Sequence, residues 1–259
     1  MEENRTMAPL SKVDVVIIGM GAVGGVVADV LTNAGLEVVG LEAGPRLDKT
    51  DFIKRFDEIG ESFSIRNSLG GPKFNREIPT WRPTASEPTQ PTVAVGMANC
   101  VGGSSVHYGA QYWRFMEDDF TVRSSTIEKY GLSALPKGTS IVDWPVSYKD
   151  LEAYYDKVEY ELGVSGRKGA NPFEAPRTRD YPMPPLQASG YPEMMGEAMK
   201  GLGLHPFQQP AAINSEIYGE RPPCTFCGFC GYGFGCWNDS KTSTLVTSIP
   251  RAEKTGKLD

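Results

Sequence analysis

Residues 13–42, VDVVIIGMGAVGGVVADVLTNAGLEVVGLE, decide the fold of this chain. Residues 13–18 are β-branched and almost continuously apolar, which predicts a strand buried on both faces. Residues 22–34 predict a helix that stops at Gly35, and residues 36–41 predict a second buried strand. Strand, helix and strand fit within about 30 residues, the size of one βαβ unit. The sequence therefore predicts an α/β fold with a Rossmann-like domain.

A dinucleotide fingerprint lies inside this unit, where residues 19–24, GMGAVG, match G-x-G-x-x-G. The first glycine permits a tight turn, the second lets backbone N–H groups approach a pyrophosphate, and the third allows close packing of helix on strand. Glu42 ends the second strand 18 residues after Gly24, where its carboxylate can accept hydrogen bonds from ribose hydroxyls and disfavours the 2′-phosphate of NADP. The motif does not separate FAD from NAD, and a glycine-rich turn without a ligand is the alternative. The candidate cofactor-binding residues are Gly19, Gly21, Ala22, Val23, Gly24, Glu42 and Ala43.

A second glycine-rich block, GMANCVGGSSVHYGAQYWRF, spans residues 96–115. Its two adjacent glycines and two small hydroxyl side chains offer donors to a flavin or its phosphates. Taken alone, the block predicts only a turn. Together with the first motif, it is a specific indication of a cofactor-binding loop. The further cofactor-binding candidates are Gly102, Gly103, Ser104, Ser105 and His107.

Four of the five cysteines fall within 13 residues, in the pattern C-x2-C-x2-C-x5-C. Thiolates at this spacing suit soft metals and iron–sulfur clusters, whereas zinc sites more often use two separated C-x-x-C pairs. A zinc site, a disulfide pair and a cluster of cysteines without a ligand are the alternatives. The candidate metal ligands are Cys224, Cys227, Cys230 and Cys236.

Composition narrows the possible partners. Lys and Arg number 26 against 32 Asp and Glu, and the net charge of −6 argues against nucleic acid as a partner. The first twelve residues carry charges of both signs without an apolar core, so no cleavable signal is visible. Residues 13–31 are interrupted too often by aspartate and glycine to span a membrane. We therefore expect a cytoplasmic protein, or a periplasmic one that reaches the membrane only through a partner.

Beyond the glycine-rich blocks, helix signals mark residues 148–162 and 192–202. Ser147 and Asp150 form a capping pair for the first of these, and Gly163 ends it. Its predicted buried stripe consists of Leu151, Tyr154, Tyr155, Val158 and Leu162. We predict an FAD-binding, Rossmann-like part at 1–145, a helical and loop insertion that begins a substrate region at 146–220, and a cysteine-rich loop returning toward the first part at 221–259.

The chain resembles the glucose–methanol–choline (GMC) family of FAD-dependent oxidoreductases. The resemblance is carried by residues 19–25, by the Glu42-Ala43-Gly44-Pro45 turn and by residues 99–115. Residues 224–236 and 241–250 resemble the gluconate-dehydrogenase type of flavoprotein subunit. The family usually has Asn or His at the place of Tyr108, whereas here His107 stands one position earlier. That arrangement is similar to the branch of pyranose oxidases and the flavoprotein subunits of gluconate and related sugar dehydrogenases. In parts of this branch the matching histidine carries the flavin covalently, which makes His107 a possible attachment site.

The resemblance also implies a reaction and further partners. In the family a base removes the hydroxyl proton of a sugar or sugar acid while hydride passes to FAD. The branch further implies an iron–sulfur cluster, held by three of the four clustered cysteines, a small subunit and a cytochrome c or quinone acceptor. The family places its histidine base in a C-terminal part of the fold that this sequence does not cover, and no histidine follows His205. The catalytic residue therefore stays unknown, the substrate domain is incomplete, and we expect little turnover from this chain alone.

Two other interpretations stay open from the sequence. One is an NAD-dependent dehydrogenase, which the second glycine-rich block and the cysteine cluster disfavour. The other is a catalytically inactive fragment that binds a cofactor or transfers electrons.

Overall fold

The computed structural model of the protein describes residues 12–52, 80–91, 98–232 and 235–259. The strands are β1 (Val15–Ile18), β2 (Val38–Leu41), β3 (Thr80–Trp81) and β4 (Gln90–Pro91). The α-helices are α1 (Ala22–Asn33), α2 (Lys49–Phe52), α3 (Val122–Tyr130), α4 (Tyr148–Leu162), α5 (Gly190–Gly201) and α6 (Ser248–Lys254). Short 3-10 turns cover Gly103–Val106, Glu117–Phe120, Leu132–Ala134 and Phe229–Tyr232. The predicted α/β class is confirmed.

The predicted βαβ unit is present. β1 pairs in parallel with β2, with Val15 opposite Val38 and Ile18 opposite Leu41, and α1 connects the two strands. The free edge of β2 accepts the last residues of the chain: Val38 N–H donates to the carbonyl of Lys257 at 2.8 Å, and Asp259 N–H donates to the carbonyl of Val38 at 3.0 Å. The middle strand of this small parallel sheet is therefore β2.

The burial of β1 differs from the prediction. Val16 and Ile18 are 53% and 87% exposed, whereas Ile17 packs into the core beneath α1. The prediction of burial on both faces was wrong for the described residues, because α1 covers one face of the strand and no other described element covers the second. An apolar face of the sheet is thus open.

A polar pair secures α1 to the distant helix α6. Ala28 packs with Ile249 and Ala252, and beside this apolar contact the buried Asp29 accepts hydrogen bonds from Arg251 Nε at 2.8 Å and Nη2 at 2.5 Å. The pair explains why an aspartate interrupts an otherwise apolar helix, since buried charges are normally paired.

The chain divides into two compact units. The first contains residues 1–109, 228–237 and 243–259, and the second contains residues 110–227 and 238–242. The second unit interrupts the first in sequence. The functional division at 1–145, 146–220 and 221–259 rests on motifs rather than on contacts and stays a prediction.

Helix α4 organises the second unit. It begins and ends at the predicted residues, with the capping box between Ser147 and Asp150 formed and Gly163 left-handed at φ 75°. The predicted buried stripe is partly wrong, because Tyr154 is 67% exposed and Glu159 on the same helix is fully buried instead. Within the described residues no helix is both long and apolar enough to cross a membrane.

Candidate functional site

The first glycine motif forms a tight turn between β1 and α1. Gly19 has a φ of +91°, a backbone conformation that residues other than glycine rarely adopt. A Cβ atom placed on Gly24 would lie 2.0 Å from the carbonyl oxygen of Gly19, so only glycine lets α1 start this close to the strand. Ala22 and Val23, between these glycines, are exposed at the mouth of the turn.

The N-terminus of α1 fits an anionic ligand. Gly21 is its N-cap residue in an extended conformation, and no described side chain caps the first turn, which also contains no acidic residue. The first N–H groups of a helix have no partner within the helix, and together with the helix dipole they favour an anion. The residues present therefore fit the pyrophosphate of a dinucleotide.

The second glycine-rich block lies directly against the first. Gly102 N–H donates to the carbonyl of Met20 at 2.7 Å. A Cβ atom on Gly103 would lie 3.0 Å from Gly21 Cα, and both Gly102 and Gly103 have positive φ. Close backbone approach, rather than side-chain contact, thus joins two motifs that are some 80 residues apart in the sequence.

We call the loops 19–24, 42–44 and 98–107 the cofactor cradle. The residues that follow Gly103 form its last part. Ser104 is exposed, and Ser105 Oγ donates to the carbonyl of Gly102 at 2.6 Å. His107 follows the 3-10 turn Gly103–Val106 and is half-buried. The structure therefore brings His107 and the two serines into one segment with the second pair of glycines.

Glu42 lies at the carboxyl end of β2, as predicted. Its Oε2 accepts the N–H of Met20 at 2.9 Å, and its Oε1 accepts the N–H of Gly44 at 2.9 Å. The carboxylate is half-buried, and Ala43 beside it is exposed. A carboxylate oxygen can accept more than one hydrogen bond, so these contacts orient Glu42 and leave it able to accept ribose hydroxyls.

Sequence reasoning missed the role of Gly44. A Cβ atom on this residue would lie 2.0 Å from the carbonyl oxygen of Asn99 and 2.4 Å from the backbone nitrogen of Cys100. The turn after β2 therefore packs backbone against backbone on the segment that carries the second glycine block. Gly44 entered the family resemblance only as part of the Glu42–Pro45 turn, and no periodicity or spacing in the sequence indicates this long-range contact.

Cys100 lies at the centre of the cradle and is completely buried. Burial, and then the negative charge of Glu42, raise the pKa of its thiol to about 11. Because the pKa is raised, any stability that the protonated thiol adds is present at neutral pH and is lost as the pH rises from about 9 toward 11.

We expect Cys100 to resist alkylation by iodoacetamide at pH 8 in the folded protein. The thiolate fraction is about a hundredfold smaller at pKa 11 than at pKa 9, and burial slows access further. Peptide mass spectrometry before and after denaturation measures the labelling. Rapid labelling of Cys100 in the folded protein would contradict its burial beside Glu42.

The four clustered cysteines are distributed over both compact units. Cys224 and Cys227 belong to the second unit, and Cys230 and Cys236 belong to the first. Cys227 is exposed and the other three are half-buried. Among the described residues, no three His, Cys, Asp or Glu side chains are close enough to hold a metal ion together. The described geometry therefore does not by itself form a metal centre.

Comparison with known proteins identifies relatives of this chain by sequence. No family model matches the chain. The gluconate 2-dehydrogenase flavoprotein of Pantoea cypripedii is 30% identical over 96% of this chain and 44% of its own length. The fructose dehydrogenase large subunit of Gluconobacter japonicus is 30% identical over 83% of this chain and 39% of its own length. Paromamine 6′-oxidase of Streptomyces fradiae is 33% identical over 84% of this chain and 34% of its own length. The chain thus spans less than half the length of these relatives.

The βαβ unit with its two glycine loops and terminal acid defines an α/β dinucleotide-binding protein. The relatives just described support a flavoprotein of the glucose–methanol–choline family. The expectation of a GMC-type flavoprotein is confirmed, and FAD rather than NAD is the cofactor that the relationship supports.

Proposed function

We propose that this chain forms the FAD-binding part of an oxidoreductase that oxidises a CH–OH group of a sugar or sugar acid. The observation that carries the proposal is the backbone contact between the two glycine-rich blocks at the N-terminus of α1. The gluconate and fructose dehydrogenase names of its relatives support this substrate class. They also support a dehydrogenase, although one relative is named as an oxidase.

In this proposal each part of the cradle has a distinct task. The first N–H groups of α1 bind the pyrophosphate, and Glu42 accepts hydrogen bonds from the ribose of the adenosine half. The exposed hydroxyl of Ser104 donates to a remaining polar atom of the cofactor. Gly102, Gly103 and Ser105 shape the loop, because their N–H and hydroxyl hydrogens are already donated within the cradle. When bound, FAD accepts a hydride from the alcohol carbon.

The proton acceptor of the reaction is proposed to come from polypeptide that corresponds to the part of the relatives not spanned here. The open face of β1 and β2 supports this idea, because parallel sheets are normally covered on both faces. Val16, Ile18 and Leu41 are each more than half exposed on these two strands. A covering layer of protein would bury them.

The direct test is to titrate the purified chain with FAD and, in parallel, with NAD. We expect a flavin absorption band to remain with the protein after gel filtration, and little reduction of an artificial dye with gluconate or fructose. Binding of NAD in place of FAD would contradict the cofactor assignment. Rapid dye reduction by the chain alone would contradict the proposed need for further polypeptide.

We also propose that His107 can carry the flavin covalently. Its position directly after the second glycine pair supports this, as does its similarity to the matching histidine of the sugar dehydrogenase branch. Acid denaturation should then leave the flavin on the wild-type polypeptide and release it from His107→Ala. Release of all flavin from the wild-type protein would leave His107 as a non-covalent contact.

For the cysteine cluster we propose an iron–sulfur centre that uses three of Cys224, Cys227, Cys230 and Cys236. The support comes from the spacing of the thiols and from the sequence resemblance. Iron and acid-labile sulfide should both be present in anaerobically purified protein and fall sharply when all four clustered cysteines are replaced by serine, with Cys100→Ser as the control. A flavin-loaded protein free of iron would refute the cluster.

Electron transfer onward is proposed to involve a cytochrome or quinone and a small subunit, which would also provide any link to a membrane. The terms flavoprotein and large subunit in the names of two relatives support a multi-subunit enzyme.

A further inference from the structure

We infer that Thr244 is a positioning residue for FAD, because it ties the two glycine-rich blocks to each other from a third segment of the chain. Thr244 precedes α6 and is nearly fully buried, at 3% exposure. Neither the resemblance nor the motifs assign it a role. This inference rests on the proposed function, since it concerns the same cofactor.

Two hydrogen bonds extend from Thr244 in different directions. Its Oγ1 donates to the carbonyl of Gly21 at 3.1 Å, and its backbone N–H donates to Oγ of Ser105 at 3.3 Å. Gly21 is the N-cap residue of α1, and Ser105 belongs to the second glycine-rich block. Thr244 therefore contacts both glycine-rich blocks of the cradle.

The remaining bonds close a circuit. Ser105 Oγ donates to the carbonyl of Gly102, and Gly102 N–H donates to the carbonyl of Met20 in the first glycine loop. The hydrogen bonds that begin at Thr244 N–H therefore pass through the second glycine-rich block to the first glycine loop, which Thr244 Oγ1 also contacts directly. A closed set of hydrogen bonds limits how far the two loops can separate.

Steric contacts support the same arrangement. A Cβ atom on Gly25 of α1 would lie 2.6 Å from Thr244 Cβ, so glycine is required for the threonine to approach the helix. On the other side, a Cβ atom on Gly102 would lie 3.0 Å from Leu245 Cβ. The segment that contains Thr244 and Leu245 is therefore packed between α1 and the second glycine-rich block.

Thr244→Val tests this role, because it removes the hydroxyl and keeps the size of the side chain. Thr247→Val is the matched control: Thr247 is also buried, but its Oγ1 donates at 2.7 Å to the carbonyl of Ser243 within its own segment. We expect both variants to lose similar thermal stability without FAD. Only Thr244→Val should weaken FAD binding, by about tenfold in Kd measured by flavin fluorescence. Thr244→Ser, which keeps the hydroxyl, should bind FAD as the wild type does.

A second readout does not depend on the cofactor. In FAD-free protein, amide hydrogen exchange at Gly102 should be faster in Thr244→Val than in Thr247→Val, because the loop is held less firmly. Equal FAD affinity in Thr244→Val and wild type, or an equal loss in the Thr247→Val control, would overturn the inference alone. If the wild-type protein binds no FAD, the proposed function fails and the inference fails with it.

Discussion

Replacement of Gly44 by alanine is expected to destabilise the first compact unit by about 3 kcal/mol and to weaken FAD binding at least tenfold. The added Cβ would lie 2.0 Å from the carbonyl oxygen of Asn99, a backbone atom that cannot move away by a rotamer change. Forced overpacking of this kind usually costs about 1–3 kcal/mol, and a clash with backbone lies at the upper end. The segment from Asn99 onward carries Gly102 and Gly103, so its displacement also disturbs the cofactor cradle.

Thermal unfolding and FAD titration of Gly44→Ala measure both effects. The melting temperature should fall by about 6–12 °C. Gly201→Ala is the matched control, because Gly201 lies at the end of α5 with open space around its Cα. That substitution should leave the stability unchanged or slightly higher, since alanine favours helix. If Gly44→Ala melts and binds FAD like the control, then the turn after β2 does not pack on residues 99 and 100.

Glu159→Gln is expected to be the most destabilising single change in the second compact unit, at about 3–5 kcal/mol. Glu159 is completely buried between two arginines that are themselves almost inaccessible to solvent. Arg114 donates to both carboxylate oxygens at 2.7 Å, and Arg177 donates to both at 3.1 Å. Loss of this negative charge leaves Arg114 paired with Glu152 alone and Arg177 paired with Glu174 alone, so the two buried guanidinium groups keep only part of their compensation.

The contacts around Arg114 and Arg177 show how strongly the ion pairs with Glu159 are held. Burial by itself would lower the pKa of Arg114, but hydrogen bonds to Glu159 and Tyr148 raise it above its ordinary value. The guanidinium of Arg177 stacks 3.7 Å from the ring centroid of Tyr181. Arg114 is expected to stay charged when Glu159 is changed, because a guanidinium is not deprotonated in proteins, and the loss of its partner must appear as unfolding.

Urea denaturation followed by near-ultraviolet circular dichroism reports on this unit through its aromatic residues. Glu193→Gln is the control, because Glu193 is exposed on α5 and its neutralisation should change the stability by less than about 0.5 kcal/mol. A Glu159→Gln variant as stable as this control would mean that solvent reaches the network.

Local features of the fold were predictable from the sequence, and long-range pairings were not. Helix α4 was predicted at its observed bounds because the Ser147–Asp150 capping pair and Gly163 are encoded within it. The glycine turn and Glu42 were equally local. By contrast, the burial of Glu159 depends on Arg114 and Arg177, which lie outside the helix, and periodicity treats a glutamate as a surface residue.

In the cradle, too, the local motifs were predictable and the long-range contacts were not. The two glycine-rich blocks were identified as cofactor-binding candidates from their composition, but their direct contact depends on backbone approach at Gly103. The parts played by Gly44 and Thr244 depend on residues that follow them or precede them by more than 50 positions. The exposed side of β1 was mispredicted because a continuous apolar run is typical of a fully buried strand, whereas no described element covers the second face of β1.

The way in which the second unit interrupts the first also determines the order in which the chain can fold during synthesis. The bonds from Thr244 to Gly21, from Arg251 to Asp29 and from Asp259 to Val38 each join residues more than 200 positions apart. A ribosome must therefore release the whole second unit before β2 gains its other neighbour and α1 gains α6. Since contacts of such separation form slowly, the nascent βαβ unit stays incomplete, without its bonds to Thr244 and Arg251, until residues 244–259 emerge.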